Sequence, residues 1–167
     1  MKHKVIDNFL PQSEFDRLQN FMMSTDFDWY FNMLINHNHD EEDKTSYFTH
    51  ILYHKMNNHW MPRMSNFYRE FKIFEEMLDI RAMIRVKANL YPNTKEKVTH
   101  APHIDYDFKH KGCVFSINTC NGGTILNDGT VIESIANRAL LFDPSKPHSS
   151  TSCTDQKARI NLNINYL

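Results

Sequence analysis

Ala82-Met83-Ile84-Arg85-Val86-Lys87-Ala88-Asn89-Leu90-Tyr91 alternates without a break. Ala82, Ile84, Val86, Ala88 and Leu90 are apolar, and most of the residues between them are not. Successive side chains of a β-strand point to opposite faces. One face of this strand therefore belongs to a core, and the other, with Arg85, Lys87 and Asn89, is unusually polar for a strand so apolar on its back. Before residue 80 the period is mostly helical; from there on it is two.

Downstream the same reading continues. His103-Ile104-Asp105 is followed by a turn around Lys111-Gly112 and an apolar run over 113–119. Gly122-Gly123-Thr124-Ile125-Leu126 leads into Asn127-Asp128-Gly129, a strong hairpin signal. Further strands are expected at 130–132, at 139–142, around His148 and over 157–167. About eight short strands separated by turn signals predict a mainly β (α+β) protein, a double-stranded β-helix or jelly roll of the cupin type.

Upstream, residues 5–10 read as a short strand stopped by Pro11. Ser13 is a suitable N-cap for a helix to about residue 23, with Phe15, Leu18 and Met22 at helical spacing. Over 27–35, Phe27, Trp29, Phe31, Met33 and Ile35 share a face, which predicts a strand; residues 47–53 predict another. After Pro62, a helical stretch carries Phe67, Phe71, Phe74 and Leu78. No linker, repeat or low-complexity tract interrupts the chain. The expectation is one domain over 1–167, in which 1–79 brace a jelly-roll core at 80–167.

The 167 residues are 41% hydrophobic and 13% aromatic, as a folded domain requires. A formal charge of −1 gives no reason to expect a nucleic-acid or membrane surface. No apolar run approaches the ~20 residues of a membrane span. Met1-Lys2-His3-Lys4 leads into no signal-peptide core, so a cytoplasmic protein is expected. Cys113, Cys120 and Cys153 form no C-x-x-C pair and read as reduced, packed thiols. Nothing in the sequence sets the oligomeric state.

The chemistry centres on His103 and Asp105, which share a face if their segment is extended. His148, much later, is placed to return on a neighbouring strand. Two imidazoles and one carboxylate leave half of a six-coordinate metal open, the donor set that suits Fe(II) in oxygenases. Beyond them Arg159, Asn161, Asn163 and Asn165 share one face, opposite Ile160, Leu162, Ile164 and Tyr166. A guanidinium aimed into a barrel needs an anionic partner, and its planar fork suits a carboxylate. The bland alternative is a solvated face with Arg159 paired to a protein carboxylate. His37, His39, Asp40 and Glu41, in the polar stretch 36–46, offer a rival metal site. That stretch lacks strand character and reads as a solvated loop or a lid beside the pocket. His50 and His54 lack the Glu of a zinc-hydrolase motif and read as packing or surface residues.

Taken together, these residues resemble the 2-oxoglutarate/Fe(II)-dependent dioxygenases, specifically the prolyl-4-hydroxylase-like branch, over about residues 85–166. The resemblance implies that His103, Asp105 and His148 hold Fe(2+) and that Arg159 binds the far carboxylate of 2-oxoglutarate. Tyr91, in Asn89-Leu90-Tyr91-Pro92, matches a co-substrate-binding tyrosine of the family. Residues 113–121 followed by Gly122-Gly123 are similar to its central strand and turn. Asn161 stands where many members carry a hydroxyl, so the second contact to the carboxylate is open. Thr119, expected on the inward face with Phe115 and Ile117, is a candidate, and Asn89 belongs to the same polar lining.

The implied reaction uses O2 to hydroxylate an unactivated C–H, releasing succinate and CO2. The implied substrate is a prolyl or other residue in a peptide or protein, with small molecules next. Asp105 argues against the halogenating variant, which needs a small residue there. The competing class is a non-catalytic cupin-like module in which His103 and His148 hold a structural ion such as zinc. That reading needs a fourth ligand; His100 and His110 are nearest in sequence, and neither shares an obvious face with His103.

Overall fold

The computed structural model describes residues 3–33, 46–55 and 61–167. Ile35 and the stretch with His37, His39, Asp40 and Glu41 lie outside the described residues. The N-terminal part contains β1 (Lys4–Ile6), α1 (Gln12–Met23), β2 (Tyr30–Asn32), β3 (Tyr47–His54) and β4 (Arg63–Met64). A 3-10 helix (Asn66–Phe71) and α2 (Ile73–Met77) follow. Then come β5 (Met83–Pro92), β6 (Lys111–Ser116), β7 (Cys120–Leu126) and β8 (Val131–Ser134). The last strands are β9 (Arg138–Phe142), β10 (His148–Ser150) and β11 (Ala158–Tyr166).

The larger sheet has the order β1-β9-β6-β11-β5-β3-β2, with β4 paired to β3. The smaller has the order β10-β7-β8 and is extended past β10 by the bridges Thr99↔Thr151 and His103↔His148. Thus β9-β6-β11-β5 stand against the His103 segment and β10-β7-β8, which is the double-stranded β-helix. All these pairings are antiparallel.

The period-2 pattern decides what each face of the large sheet meets. Val86, Ala88, Phe115, Ile117, Ile160, Leu162 and Ile164 form one core with Phe9, Phe15, Leu18, Met22, Phe71 and Phe74 from the N-terminal part. Phe115 is fully buried, and its ring lies 5.0 Å from that of Phe74 and 6.1 Å from those of Phe9 and Phe15. The helices therefore brace the outside of this sheet. The opposite face, with Lys87, Asn89, Tyr91, Arg159, Asn161 and Asn163, lines a cavity between the sheets.

Several local expectations are corrected. β1 ends at Ile6, because Asn8 takes a left-handed conformation (φ 51°) and turns the chain. Phe9 and Leu10 are buried outside any strand, and the Asn137 side chain satisfies the Leu10 N–H and C=O. Pro11, not Ser13, caps α1; its carbonyl accepts from the N–H groups of Glu14 and Phe15. Of the described residues 27–33 only Tyr30–Asn32 form a strand. Phe27 is buried among the rings of Phe21, Trp29 and Phe67, whereas Phe31 is 60% and Met33 76% exposed. After Pro62 the helix is broken into the 3-10 helix, capped by the Ser65 side chain, and the short α2.

His50 is a packing residue: Nδ1 lies 2.8 Å from the Asp28 carbonyl and Nε2 2.8 Å from the Ser65 hydroxyl. The three cysteines are free and buried. Among the described residues, no helix is long and apolar enough to cross a membrane.

Candidate metal centre and anion pocket

His103 and His148 face each other across a two-way backbone bridge. The His103 N–H donates to the His148 carbonyl at 3.0 Å, and the His148 N–H donates back at 2.9 Å. This register sets their ring centroids 4.5 Å apart. The Asp105 N–H donates to the Pro144 carbonyl at 2.9 Å, which fixes the carboxylate beside them. One ligand atom from each of the three residues lies within 4.8 Å of the others. Among the described residues, this is the grouping of three or more metal-capable side chains.

The protonation states suit a metal. His148 Nδ1 is 3.0 Å from the Lys146 carbonyl, which only an N–H can satisfy, so in the neutral ring the lone pair lies on Nε2. Burial and the neighbouring His148 push His103 down to about 4, against the pull of Asp105, so its imidazole is neutral near pH 7. Burial alone would raise Asp105. The Arg85 guanidinium, with help from His148, His103 and Lys87, instead holds it well below the usual carboxylate range. Arg85 Nη2 donates to Asp105 Oδ1 at 2.8 Å and Asn163 Nδ2 to Oδ2 at 3.2 Å. A neutral His103, a His148 anchored through Nδ1 and an ionised Asp105 held by Arg85 and Asn163 fit a divalent ion with open positions.

Arg159 lies in the same cavity, which encloses about 630 Å³. It is 1% exposed. Its Nη1 donates to the Thr151 carbonyl at 3.2 Å and its Nη2 to the Thr124 hydroxyl at 3.0 Å, while the buried Nε has no partner. The guanidinium sits 5.7 Å from the centroid of the Tyr91 ring. Burial lowers its pKa, yet an arginine keeps its charge in a protein. None of the ion pairs among the described residues involves it. The alternative of a protein carboxylate partner is thereby removed for those residues. A buried cation without a counter-ion is strongly unfavourable, so this end of the cavity is built for an anion.

Small details of the chain make room for Arg159. A Cβ on Gly122 would stand 2.6 Å from the Ser152 carbonyl oxygen and 3.0 Å from Arg159 Cδ, so only glycine fits there. Tyr91 is stacked between Tyr47 at 5.5 Å and His100 at 5.2 Å. Burial raises its pKa, which leaves a neutral hydroxyl donor. Asn89 Nδ2 donates to Asn161 Oδ1 at 3.0 Å, and the buried Asn89 Oδ1 is without a partner.

Thr119 is a correction. Phe115 and Ile117 face the helical layer rather than the cavity, because Val114 is the residue registered with Asn163. Thr119 is exposed and accepts a hydrogen bond from the Ala136 N–H at 2.9 Å. The hydroxyl that meets Arg159 is Thr124, two residues past Gly122. The alternation of β7 carried that signal, but only knowing which sheet faces Arg159 gives it meaning. Arg85 and Lys87 are legible in the sequence only as a polar strand face.

The distal histidines supply no fourth ligand. His100 stacks on Tyr91 and bonds to the Ser150 hydroxyl at 2.7 Å; His110 bonds to Asn165 and to the Phe108 carbonyl. The closed four-ligand site of a structural zinc is therefore not formed by the described residues.

No family model matches the chain, and no curated protein matches its sequence. Solved structures match its fold. A 2OG-Fe(II) oxygenase family oxidoreductase from Burkholderia pseudomallei is 10% identical with a TM-score of 0.68, covering 98% of this chain and 83% of that one. A prolyl hydroxylase from Trichoplax adhaerens, in complex with a peptide fragment of the hypoxia inducible factor oxygen degradation domain, is 17% identical. Its TM-score is 0.65, covering 99% of this chain and 83% of that one. The non-heme alpha ketoglutarate dependent epimerase SnoN is 9% identical with a TM-score of 0.65, covering 99% of this chain and 76% of that one. At these identities the likeness establishes the fold, the jelly roll of 2OG-Fe(II) oxygenase structures.

Proposed function

We propose that this chain is, as one domain, a non-haem Fe(II)- and 2-oxoglutarate-dependent oxygenase. The observation that carries the reading is the buried Arg159 guanidinium, without a carboxylate partner among the described residues, in the same cavity as an open two-histidine, one-carboxylate set. His103, Asp105 and His148 would hold the iron. Iron held there supplies dioxygen activation at the expense of 2-oxoglutarate, which leaves as succinate and CO2 while a substrate C–H is hydroxylated.

The protein's own residues orient and protect. Arg159, with the Thr124 hydroxyl on one of its nitrogens and Tyr91 across its face, binds the far carboxylate of 2-oxoglutarate. Asn89 and Asn161 border that path. The acceptor Asn89 Oδ1 and the donor Arg159 Nε are the groups a ligand would satisfy. Asp105 stays ionised because Arg85 pairs with it, and His148 presents Nε2 because Lys146 holds its other nitrogen.

A peptide or protein substrate is supported by the peptide held in the Trichoplax prolyl hydroxylase, and a prolyl residue is the first choice. The near-neutral charge supports a partner other than nucleic acid, and the free buried thiols support a reducing, cytoplasmic setting.

The test is anaerobic titration of the Fe(II)-reconstituted protein with 2-oxoglutarate, read by the visible charge-transfer band of the chelate. The band is expected in the wild type, absent in His103→Ala, and shifted to much higher 2-oxoglutarate in Arg159→Ala. A protein that gives no band and instead holds zinc tightly would sink the oxygenase reading.

A further inference from the structure

The triad and Arg159 leave one charge in the cavity unaccounted for. Lys87 lies on β5 two positions past Arg85, directly opposite Asn163 of β11, the residue whose amide holds Asp105. Its ammonium thus belongs to the metal end. The pair Tyr91↔Arg159 is four residues further along the same strand face, about 13 Å away at the usual strand rise. Lys87 lines the cavity and is half-buried. No hydrogen bond or ion pair of its ammonium is formed among the described residues; its contact is the Tyr47 ring, 5.7 Å from Nζ. Beside it, Arg85 Nε is a buried donor without a partner.

The charges assembled at this site favour a further anion over a further cation. Arg85 is paired with Asp105, and Arg159 is reserved for the far end of 2-oxoglutarate. The two carboxylates of that co-substrate and Asp105 are offset by a divalent ion, Arg159 and Arg85, which already leaves the site slightly positive. Burial and the neighbouring Arg85 push Lys87 down to about 7, against the pull of Asp105, so a further anion at its nitrogen is what would hold the ammonium protonated. The bland account is a lysine resting on an aromatic ring with its tip in water. A half-exposed cation–π contact is weak and leaves the ammonium donors unused inside a polar cavity.

Resting on the oxygenase reading, we propose that Lys87 receives a carboxylate of the primary substrate, so that the metal end of the cavity selects an acidic group. The source is either an acidic side chain of a peptide or a small free acid; the chemistry at Lys87 is the same. Lys87 is then a specificity-determining residue that binds substrate and leaves 2-oxoglutarate to Arg159.

The experiment uses Zn(II)-loaded protein saturated with 2-oxoglutarate and follows the Lys87 side-chain ε-carbon signal by NMR, assigned by its loss in Lys87→Met. One arm titrates N-acetylproline against its amide. The other titrates blocked pentapeptides, randomised at the flanking positions, with a central Glu against the same set with Gln. In at least one arm the acid is expected to move the Lys87 signal and to bind about tenfold tighter than its neutral partner, as a charge-assisted hydrogen bond provides. Which arm responds identifies the source. Lys87→Met should erase the preference while 2-oxoglutarate affinity, measured by calorimetry, changes less than about twofold. Equal binding of acid and amide in both arms, or a preference that survives Lys87→Met, overturns the proposal. A large loss of 2-oxoglutarate affinity in Lys87→Met also overturns it and assigns the lysine to the co-substrate. If the wild type binds no 2-oxoglutarate, the oxygenase reading fails separately, and the acid–amide comparison without it still decides the role of Lys87.

Discussion

Among the described residues, Arg85 and Asp105 form the buried ion pair of the site: Nη2 stands 2.8 Å from Oδ1, with the side chains 15% and 4% exposed. The pair sets the ionisation of a metal ligand from behind. Replacing Arg85 by Met keeps the stem and leaves the carboxylate buried without its main counter-charge, so its pKa should climb. Divalent-metal affinity at pH 7 is expected to fall about 10- to 100-fold, as for other losses of a group that supports a ligand. Calorimetric titration with Zn(II) across pH 5–8 checks this. Unchanged affinity would show that Asn163 alone suffices.

His103 gives the metal-free protein a pH-dependent stability. Its folded pKa of about 4 lies below the ordinary 6.5, so the unfolded chain binds the proton more readily. The stabilising contribution is full above about pH 6.5 and is lost as pH falls toward 4. It amounts to on the order of 3 kcal/mol at most. Denaturant unfolding at pH 7, 5.5 and 4.5 should show the decline, and His103→Gln should flatten it. A parallel decline in the variant would assign the effect elsewhere.

Thr124→Val removes the hydroxyl that accepts from Arg159 Nη2 and should weaken 2-oxoglutarate binding about 3- to 10-fold, the range of one hydrogen bond. Thr119→Val, outside the cavity, should leave that binding unchanged. Calorimetry on the Zn(II) forms compares the two, and equal effects would contradict the placement of either residue.

Gly122→Ala puts a methyl group against the Ser152 carbonyl and the Arg159 stem. Overpacking of this kind costs about 1–3 kcal/mol. Because the clash lies on Arg159, 2-oxoglutarate affinity should fall together with the melting temperature. Loss of stability at full affinity would mean that the backbone, not the arginine, gives way.

Phe115→Ala opens a hole between the large sheet and the helical layer and should destabilise by about 3–5 kcal/mol. Phe115 faces away from the cavity, so metal affinity of the folded fraction should persist.

The sequence by itself determined the jelly roll, the polar faces of β5 and β11, and the three residues brought together as the candidate metal centre. These follow from a period of two over long strands in which one face is apolar and the other is not, and from an ordered set of ligand types. Where both faces are apolar the period is silent. In β6 the choice between Phe115 and Val114 as the inward residue depends on the register with β11, and the Thr119 expectation failed there. Over the described residues 27–33 the alternation misleads differently, because Tyr30 and Phe31 are both exposed and neither face of the short strand belongs to the core. Ser13 lost the cap to Pro11, whose carbonyl takes the first helical N–H groups. Only the tertiary structure decided that Thr124 meets Arg159, that Arg85 supports Asp105, and that the Lys87 ammonium makes no hydrogen bond or ion pair among the described residues. Those relationships join residues of different strands or sheets, and the pairing of the strands, rather than any local pattern, sets their distances.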